Sequence, residues 1–341
     1  MSTISVVIPT YNRAALLPEA IESALGQSYA PVEIIVVDDG SKDDTEAVVR
    51  RFGAAVGYVS QSNAGVGVAR NTGASHATGK WVAFLDSDDA WERDKLALQL
   101  AALRVAPNAA WSVTDLTVVD GEGRPRGDPP WSPLVFGCLK EMGTTARDLF
   151  ARQLERHEVE WATGRVEVFA GDLYPLLFHG NLGLPSSLMI RRDVFQGSGG
   201  FDPAFRVAEE TEFLHRLSAR WPAALVMAPL VRYRVAHGPS LINTGDPRPA
   251  IRNALRSLEQ AGRLRAPLDP AAQEARKEGE TRLAYRLARA ALSAGDSAEA
   301  RTALARLPGA HWSSQRVALT GLSLLPAPVL RLALRARRAL P

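Results

Sequence analysis

"WVAFLDSDDAW", residues 81–91, runs from consecutive apolar positions straight into acidic and hydroxyl side chains. Val82, Phe84 and Leu85 suit a strand covered on both faces, and Asp86, Asp88 and Asp89 stand where that strand would end. Carboxylates crowded together repel one another, and burying several without counter-charge costs on the order of several kcal/mol. A divalent cation resolves the conflict. Hard oxygen ligands suit Mg²⁺ or Mn²⁺, which keep coordination positions open for substrate phosphates. Taken singly, the same cluster is equally what a helix cap looks like.

The neighbouring sequence decides what kind of strand this is. "ISVVIP", "EIIVVD" and "VGYVS" are further short β-branched runs, and they alternate with segments of helical period in the first hundred residues. That is the pattern of an α/β protein with a mainly parallel central sheet flanked by helices. The runs are apolar at consecutive positions, so all four strands are expected to lie centrally, covered on both faces. Leu16, Ala20, Ile21, Ala24 and Leu25 form one helical stripe, Val48, Val49 and Phe52 a second, and Leu96, Leu100 and Leu103 a third. Ser41 or Asp43 can cap the second helix. In such a sheet ligands bind beyond the carboxyl ends of the strands. Here those ends read "PTYNR", "VVDDGS" and "LDSDD", three polar or acidic clusters that turns alone do not require. No GxGxxG follows the first strand and no GxxxxGK[ST] occurs, which argues against a dinucleotide fold or a P-loop.

Further along, "TARDLFARQLERHEVEW" reads as one amphipathic helix and "SSLMI" as a strand. From about residue 245 the composition shifts to Ala, Arg and Leu, and two helices are expected to join at Gly295 and Asp296. The last stretch carries Arg331, Arg335, Arg337 and Arg338 without an acidic residue. It reads either as an interfacial helix touching a membrane peripherally or as a packed helix with a solvated face.

Composition narrows the function classes. The chain has 341 residues, 46% hydrophobic and 23% charged, with a net charge of only +3, so it lacks the dense basic patch of a nucleic-acid binder. The single cysteine, Cys138, excludes an internal disulfide and a thiolate zinc site. The N-terminus has no basic segment followed by a long apolar run, and no stretch reaches the roughly 18 apolar residues of a membrane span. A cytoplasmic protein, with any membrane contact peripheral at the inner face, is the expectation.

"ISVVIPTYNRAALLPEAIESALGQSY", "EIIVVDDGSKDDT" and "NAGVGVARNTGASHATGKWVAFLDSDDAW" together resemble, in order and spacing, the inverting family 2 glycosyltransferases of the A-type fold. The resemblance resumes near residues 185 to 240. It implies transfer of a sugar from a nucleoside diphosphate donor, UDP by default, to a glycan or lipid-linked acceptor hydroxyl, plausibly in surface polysaccharide synthesis. It also implies a catalytic domain over 1–240, with a nucleotide-binding part to about 105 and an acceptor-binding part over about 106–240, followed by a helical region over 241–341. The family's DxD motif corresponds to Asp86, Ser87 and Asp88. Pro9, Thr10 and Tyr11 match its base and ribose contact, Asp38 and Asp39 its base-edge carboxylates, and Arg70 an arginine that reaches the nucleotide, with Gly65 and Gly67 allowing close backbone approach. Asp88 is the first choice for the metal, Asp86 meets metal or ribose, and Asp89 caps the next helix. "GGFDPAFRVAEETEFLHRL" resembles the segment that carries the base, usually an Asp after a Glu; here Glu210 takes that place, with Glu209 as the fallback. In "LVRYRVAHGPSLIN", His237 matches a metal or diphosphate contact and Arg234 a diphosphate contact.

Two other readings stay open. A sugar-nucleotide pyrophosphorylase would place a basic glycine-rich loop after the first strand, where only Arg13 stands. A sugar-nucleotide or glycan-binding protein would have lost activity through the Glu-for-Asp exchange.

Overall fold

The computed structural model describes residues 3–127, 139–235, 246–307 and 314–325. The chain divides into two compact units, Met1–His237 and Gly238–Pro341.

The first unit is built on one sheet. Its strands are β1 (Ile4–Thr10), β2 (Val32–Asp38), β3 (Gly57–Ser60), β4 (Trp81–Phe84), β5 (Ala90–Trp91), β6 (Trp111–Val119), β7 (Glu155–Trp161), β8 (Gly164–Gly171), β9 (Met189–Arg191) and β10 (Ala223–Arg234). They lie in the order β3-β2-β1-β4-β9-β6-β10-β8-β7, with β5 paired to β10. β1, β2, β3 and β4 are mutually parallel, as are β6 and β10, while β9 runs antiparallel between β4 and β6. The helices are α1 (Leu17–Leu25), α2 (Thr45–Arg50), α3 (Val66–His76), α4 (Lys95–Val105), α5 (Leu139–Met142), α6 (Ala146–Gln153), α7 (Tyr174–Leu177), α8 (Arg192–Ser198) and α9 (Glu209–Ser218).

Alternation along β1 shows why its run is apolar throughout. Ile4, Val6 and Ile8 enter one core with α1, α2 and α4, whereas Val7 enters a second core with α3, α8 and α9. α3 lies so close to the sheet that a Cβ on Gly73 would stand 2.3 Å from Val7 Cγ1.

Two expectations are corrected. β3 is the edge strand of the sheet and is partly exposed, so "VGYVS" is not central. "TARDLFARQLERHEVEW" is not one helix: α6 stops at Gln153 and the chain continues as β7, paired to β8. The reason is the change of period. Leu154, Val159 and Trp161 belong to an extended segment whose Glu and Arg neighbours form cross-strand ion pairs.

The second unit contains α10 (Arg248–Leu264), α11 (Pro270–Ser293), α12 (Ser297–Ala305) and α13 (Ser314–Ser323), packed around Ile251, Leu255, Leu287, Ala288, Ala291 and Leu304. The break between α11 and α12 comes where it was expected: Gly295 has φ +80° and the Asp296 carboxylate accepts from Glu299 N at 2.9 Å. Among the described residues no helix is long and apolar enough to cross a membrane. His237, Cys138 and the basic segment from Arg331 lie outside the described residues.

Candidate functional site

β1 has β2 on one side and β4 on the other, all parallel, so the strand order reverses here and the carboxyl ends of β1 and β4 form the topological switch point. Pro9, Thr10 and Tyr11 close β1, and Tyr11 is 44% exposed, open enough for its ring to stack on a ligand. Thr10 is buried, and its Oγ1 has no partner among the described residues. Asn12, at φ +51°, ties the two loops together: its N–H donates to Ser41 Oγ and its side-chain oxygen accepts from Lys42 N, both at 2.8 Å. Asn tolerates this left-handed conformation because its short side chain bonds locally.

Asp38 and Asp39 are buried and already engaged. Asp38 accepts from Ser41 N at 2.8 Å and from the Tyr58 hydroxyl at 2.7 Å. Asp39 accepts from Gln61 Nε2, Ala64 N and Gly65 N, each at 2.8 Å. Asp39 thus shapes the turn into α3. The N-cap of α2 is Asp44 rather than Ser41 or Asp43; Asp43, one residue earlier, accepts from Thr45 N at 3.2 Å, while Ser41 Oγ accepts from Asn12 N.

After β4 the acidic turn separates its three carboxylates. Asp86 and Asp88 are half-exposed, whereas Asp89 is buried. Asp89 does not cap the next helix; it accepts from Ser186 Oγ at 2.5 Å and from Arg234 N at 3.0 Å. Ser186 in turn accepts from Asp86 N at 3.0 Å. Its backbone oxygen accepts from Trp91 Nε1 at 2.7 Å. Burial and the neighbouring Asp86 push the Asp88 carboxyl above its ordinary range, and burial pushes Asp89 well above it. Beneath the turn, buried Lys95 donates to Gln99, which donates to Ser187 O. Ser186 escaped the sequence reading because a serine in "LPSSLMI" carries no chemical signature of its own.

Arg70 is engaged within the fold: its residue is 2% exposed, one arm donates to Asp86 Oδ1 and the other to Glu209 Oε1, both at 2.6 Å. Its guanidinium lies 5.2 Å from the centre of the Phe201 ring. Gly67 likewise makes room within the fold, since a Cβ there would meet Phe201 Cβ at 3.3 Å and Glu209 Cγ at 3.5 Å. Asn71, the next residue, clamps Phe201 by donating to its carbonyl at 2.7 Å and accepting from its N–H at 2.8 Å.

Glu209 and Glu210 open α9, and they differ. Glu209 is buried, and its carboxylate is held in an ion pair with Arg70. Glu210 is half-buried and accepts from Asn181 Nδ2 at 3.2 Å. Burial, and then the Glu209 charge, push the Glu210 carboxyl up to about 8. Ala208, just before them, holds φ +59°, a strained conformation for a residue with a Cβ. Asn181 was not foreseen; an asparagine between glycines reads as a turn.

Arg234 is likewise engaged within the fold. It donates to Asp88 O, Gly121 O and Glu19 Oε2, with only 6% of its side chain exposed. Arg13 lies 3.8 Å from Asp88 with about a third of each side chain exposed, which places a cation at the open face of the acidic turn. Burial and the charges of Asp89, Asp86, Asp88 and Glu210 all raise the Tyr233 phenol, so Tyr233 lies within the field of this carboxylate group.

Residues 5–156 match the family model described as Glycosyl transferase family 2. Over this stretch, which is less than half of the chain, the protein is similar to the family 2 glycosyltransferases. Its relatives include the uncharacterized glycosyltransferase RP339 of Rickettsia prowazekii, 41% identical over 105 residues, which are 31% of this chain and 33% of that protein. Another is the putative teichuronic acid biosynthesis glycosyltransferase TuaG of Bacillus subtilis, 36% identical over 155 residues, 41% of this chain and 61% of that protein. The match thus spans about a third of the Rickettsia relative's length. Among solved structures, the chain resembles mannosyltransferase PcManGT from Pyrobaculum calidifontis, in complex with GDP-Man and Mn²⁺ (TM-score 0.56, 21% identity, 100% of this chain and 81% of that one). It also resembles S. aureus TarS 1–349 in complex with UDP-GlcNAc (TM-score 0.54, 19% identity, 98% and 87%). These likenesses establish the A-type glycosyltransferase fold.

Among the described residues no three His, Cys, Asp or Glu side chains are grouped to hold a metal ion. Mg²⁺ and Mn²⁺ do not need such a cage, because one or two carboxylates plus substrate phosphates and water suffice. Asp86 and Asp88 fit that demand: both are hard oxygen donors with exposed surface, and burial, then the charge of Asp86, raises Asp88.

Proposed function

We propose that the protein moves a sugar, with inversion, from a nucleoside diphosphate donor to a hydroxyl of a glycan or lipid-linked acceptor in surface polysaccharide synthesis. A UDP-sugar is the favoured donor. The observation that carries this reading is Glu210: a half-buried carboxylate, oriented by Asn181, at the start of α9 and joined through Glu209 and Arg70 to Asp86.

Glu210 takes the proton of the acceptor hydroxyl as that oxygen forms its bond to the anomeric carbon. The bond from that carbon to the diphosphate oxygen breaks, and the electron pair leaves with the nucleoside diphosphate. A carboxyl raised to about 8 is a stronger base than an ordinary glutamate yet still ionises near neutrality, which suits this role. Tyr11 offers a face for the base, and Arg13 a cation near the diphosphate. Asp86 and Asp88 would hold Mn²⁺ or Mg²⁺, whose chemistry is to offset the charge that develops on the leaving diphosphate. The Mn²⁺ in the PcManGT complex supports this choice of cofactor.

Glu210→Gln tests the assignment. Transfer is expected to vanish while nucleotide affinity, read by calorimetry, stays within a few-fold; retained transfer removes Glu210 from the role. A thermal-shift screen over UDP-, GDP- and dTDP-sugars identifies the donor, since a ligand that binds only the folded state raises its stability.

A further inference from the structure

Arg70 and Glu209 are 139 positions apart in sequence, yet they meet as a buried ion pair, and the other arm of the same guanidinium holds Asp86. Burying the Arg70–Glu209 pair brings a large desolvation penalty, and well-packed apolar side chains in its place are often as stable or more so. Stability alone therefore does not account for it. The surroundings are shaped to hold Glu209 where it is. Gly67 leaves space for its Cγ, Phe201 lies against the guanidinium, and Ala208, the residue before it, holds a strained left-handed conformation. Arg70 Nε finds no partner among the described residues, so the guanidinium is used entirely through its two arms.

We propose that Arg70 and Glu209 are positioning residues, a buried strut that joins the donor-side carboxylate Asp86 to the helix start that presents Glu210. The inference rests on Glu210 as the base. The groups that face Glu210 are Glu209 on its own helix, Arg70 from α3, Asp86 from the turn after β4, Tyr233 from β10, and Asn181 from the segment before β9. Glu209 and Arg70 act on it in opposite senses, and the strut fixes both at constant distance.

Glu209→Gln keeps an oxygen for Arg70 and removes the charge beside Glu210. Arg70→Lys keeps the charge and loses the fork, so it reaches one carboxylate only. The test measures release of UDP from UDP-N-acetylglucosamine and of GDP from GDP-mannose with Mn²⁺ as a function of pH, for the full chain and the Glu209→Gln, Arg70→Lys and Glu210→Gln variants. Titration of the glutamate carboxyls by NMR without donor reads the same quantity independently of turnover, the Glu210 signal being the one lost in Glu210→Gln. With Glu209→Gln the Glu210 titration and the acid limb of the rate are expected to move down by about one pH unit. With Arg70→Lys, kcat is expected to fall about 100-fold with donor KM changed only a few-fold. A purely structural role predicts lower thermal stability with an unmoved titration. An unmoved titration in Glu209→Gln, or an Arg70→Lys kcat within a few-fold of the parent, overturns the strut. Retained turnover in Glu210→Gln overturns the base instead, whatever the other two variants do.

Discussion

Ser186 donates its hydroxyl to Asp89 at 2.5 Å across 97 positions of sequence, and the same oxygen accepts from Asp86 N. One side chain from the segment before β9 thus fixes the acidic turn after β4 at both ends. Ser186→Ala leaves a buried carboxylate short of a donor, which costs about 1–3 kcal/mol. Urea unfolding is expected to show that loss, together with weaker Mn²⁺ dependence of transfer; unchanged unfolding would mean that Arg234 N holds Asp89 unaided.

The raised Glu210 carboxyl makes stability depend on pH. Its folded-state value of about 8 lies above the ordinary 4.5, so the folded protein binds this proton more tightly than the unfolded chain does. The group's contribution to stability is complete below pH 4.5 and is lost as pH rises through 8. Glu210→Gln is therefore expected to match the parent in mild acid and to exceed it above pH 8 by about 1–2 kcal/mol, allowing for partial exposure. Chemical denaturation at several pH values checks the sign.

Asn181 holds Glu210 from outside α9. Asn181→Ala removes the donor to Glu210 Oε1 and frees the carboxylate to rotate, at an expected cost of about tenfold in kcat with little change in nucleotide affinity. If turnover is unaffected, the 3.2 Å contact does not orient the base.

Gly73→Ala tests the fit of α3 on the sheet. The added methyl group would lie 2.3 Å from Val7 Cγ1 and 3.0 Å from Val37 Cγ2, closer than carbon atoms tolerate. Overpacking of this kind costs about 1–3 kcal/mol, and a thermal melt should show it. The better helix propensity of alanine works in the opposite direction but is smaller, at about 1 kcal/mol.

The parallel half of the sheet was legible because burial on both faces writes itself as consecutive apolar residues, in "ISVVIP" and "EIIVVD" above all. β3 has the same composition but sits at an edge, and nothing in four residues of local pattern encodes a neighbour's absence. α6 and β7 merged into one helix in the sequence reading because charged residues at "RQLERHE" fit either period; only Val159 and Trp161 show the change. At the site, residue types were legible and their partners were not. The acidic turn stood out as a cluster of charge, yet Arg70 and Arg234 look alike in sequence to any ligand-binding arginine. Their burial follows from contacts with Glu209, Glu19 and Asp88, each far away along the chain. Lys95, fully buried beside the Trp91 ring, is invisible to pattern reading for the same reason.

Adjacent residues of α3 reach the later part of the domain independently, Arg70 through Glu209 and Asn71 through both backbone groups of Phe201. A chimera that exchanged the segment after residue 105 for that of a relative would sever these attachments, even though the cut falls between secondary-structure elements. Successful recombination would have to carry α3 along with the segment that contains α9, so the exchangeable unit of this fold is discontinuous in sequence.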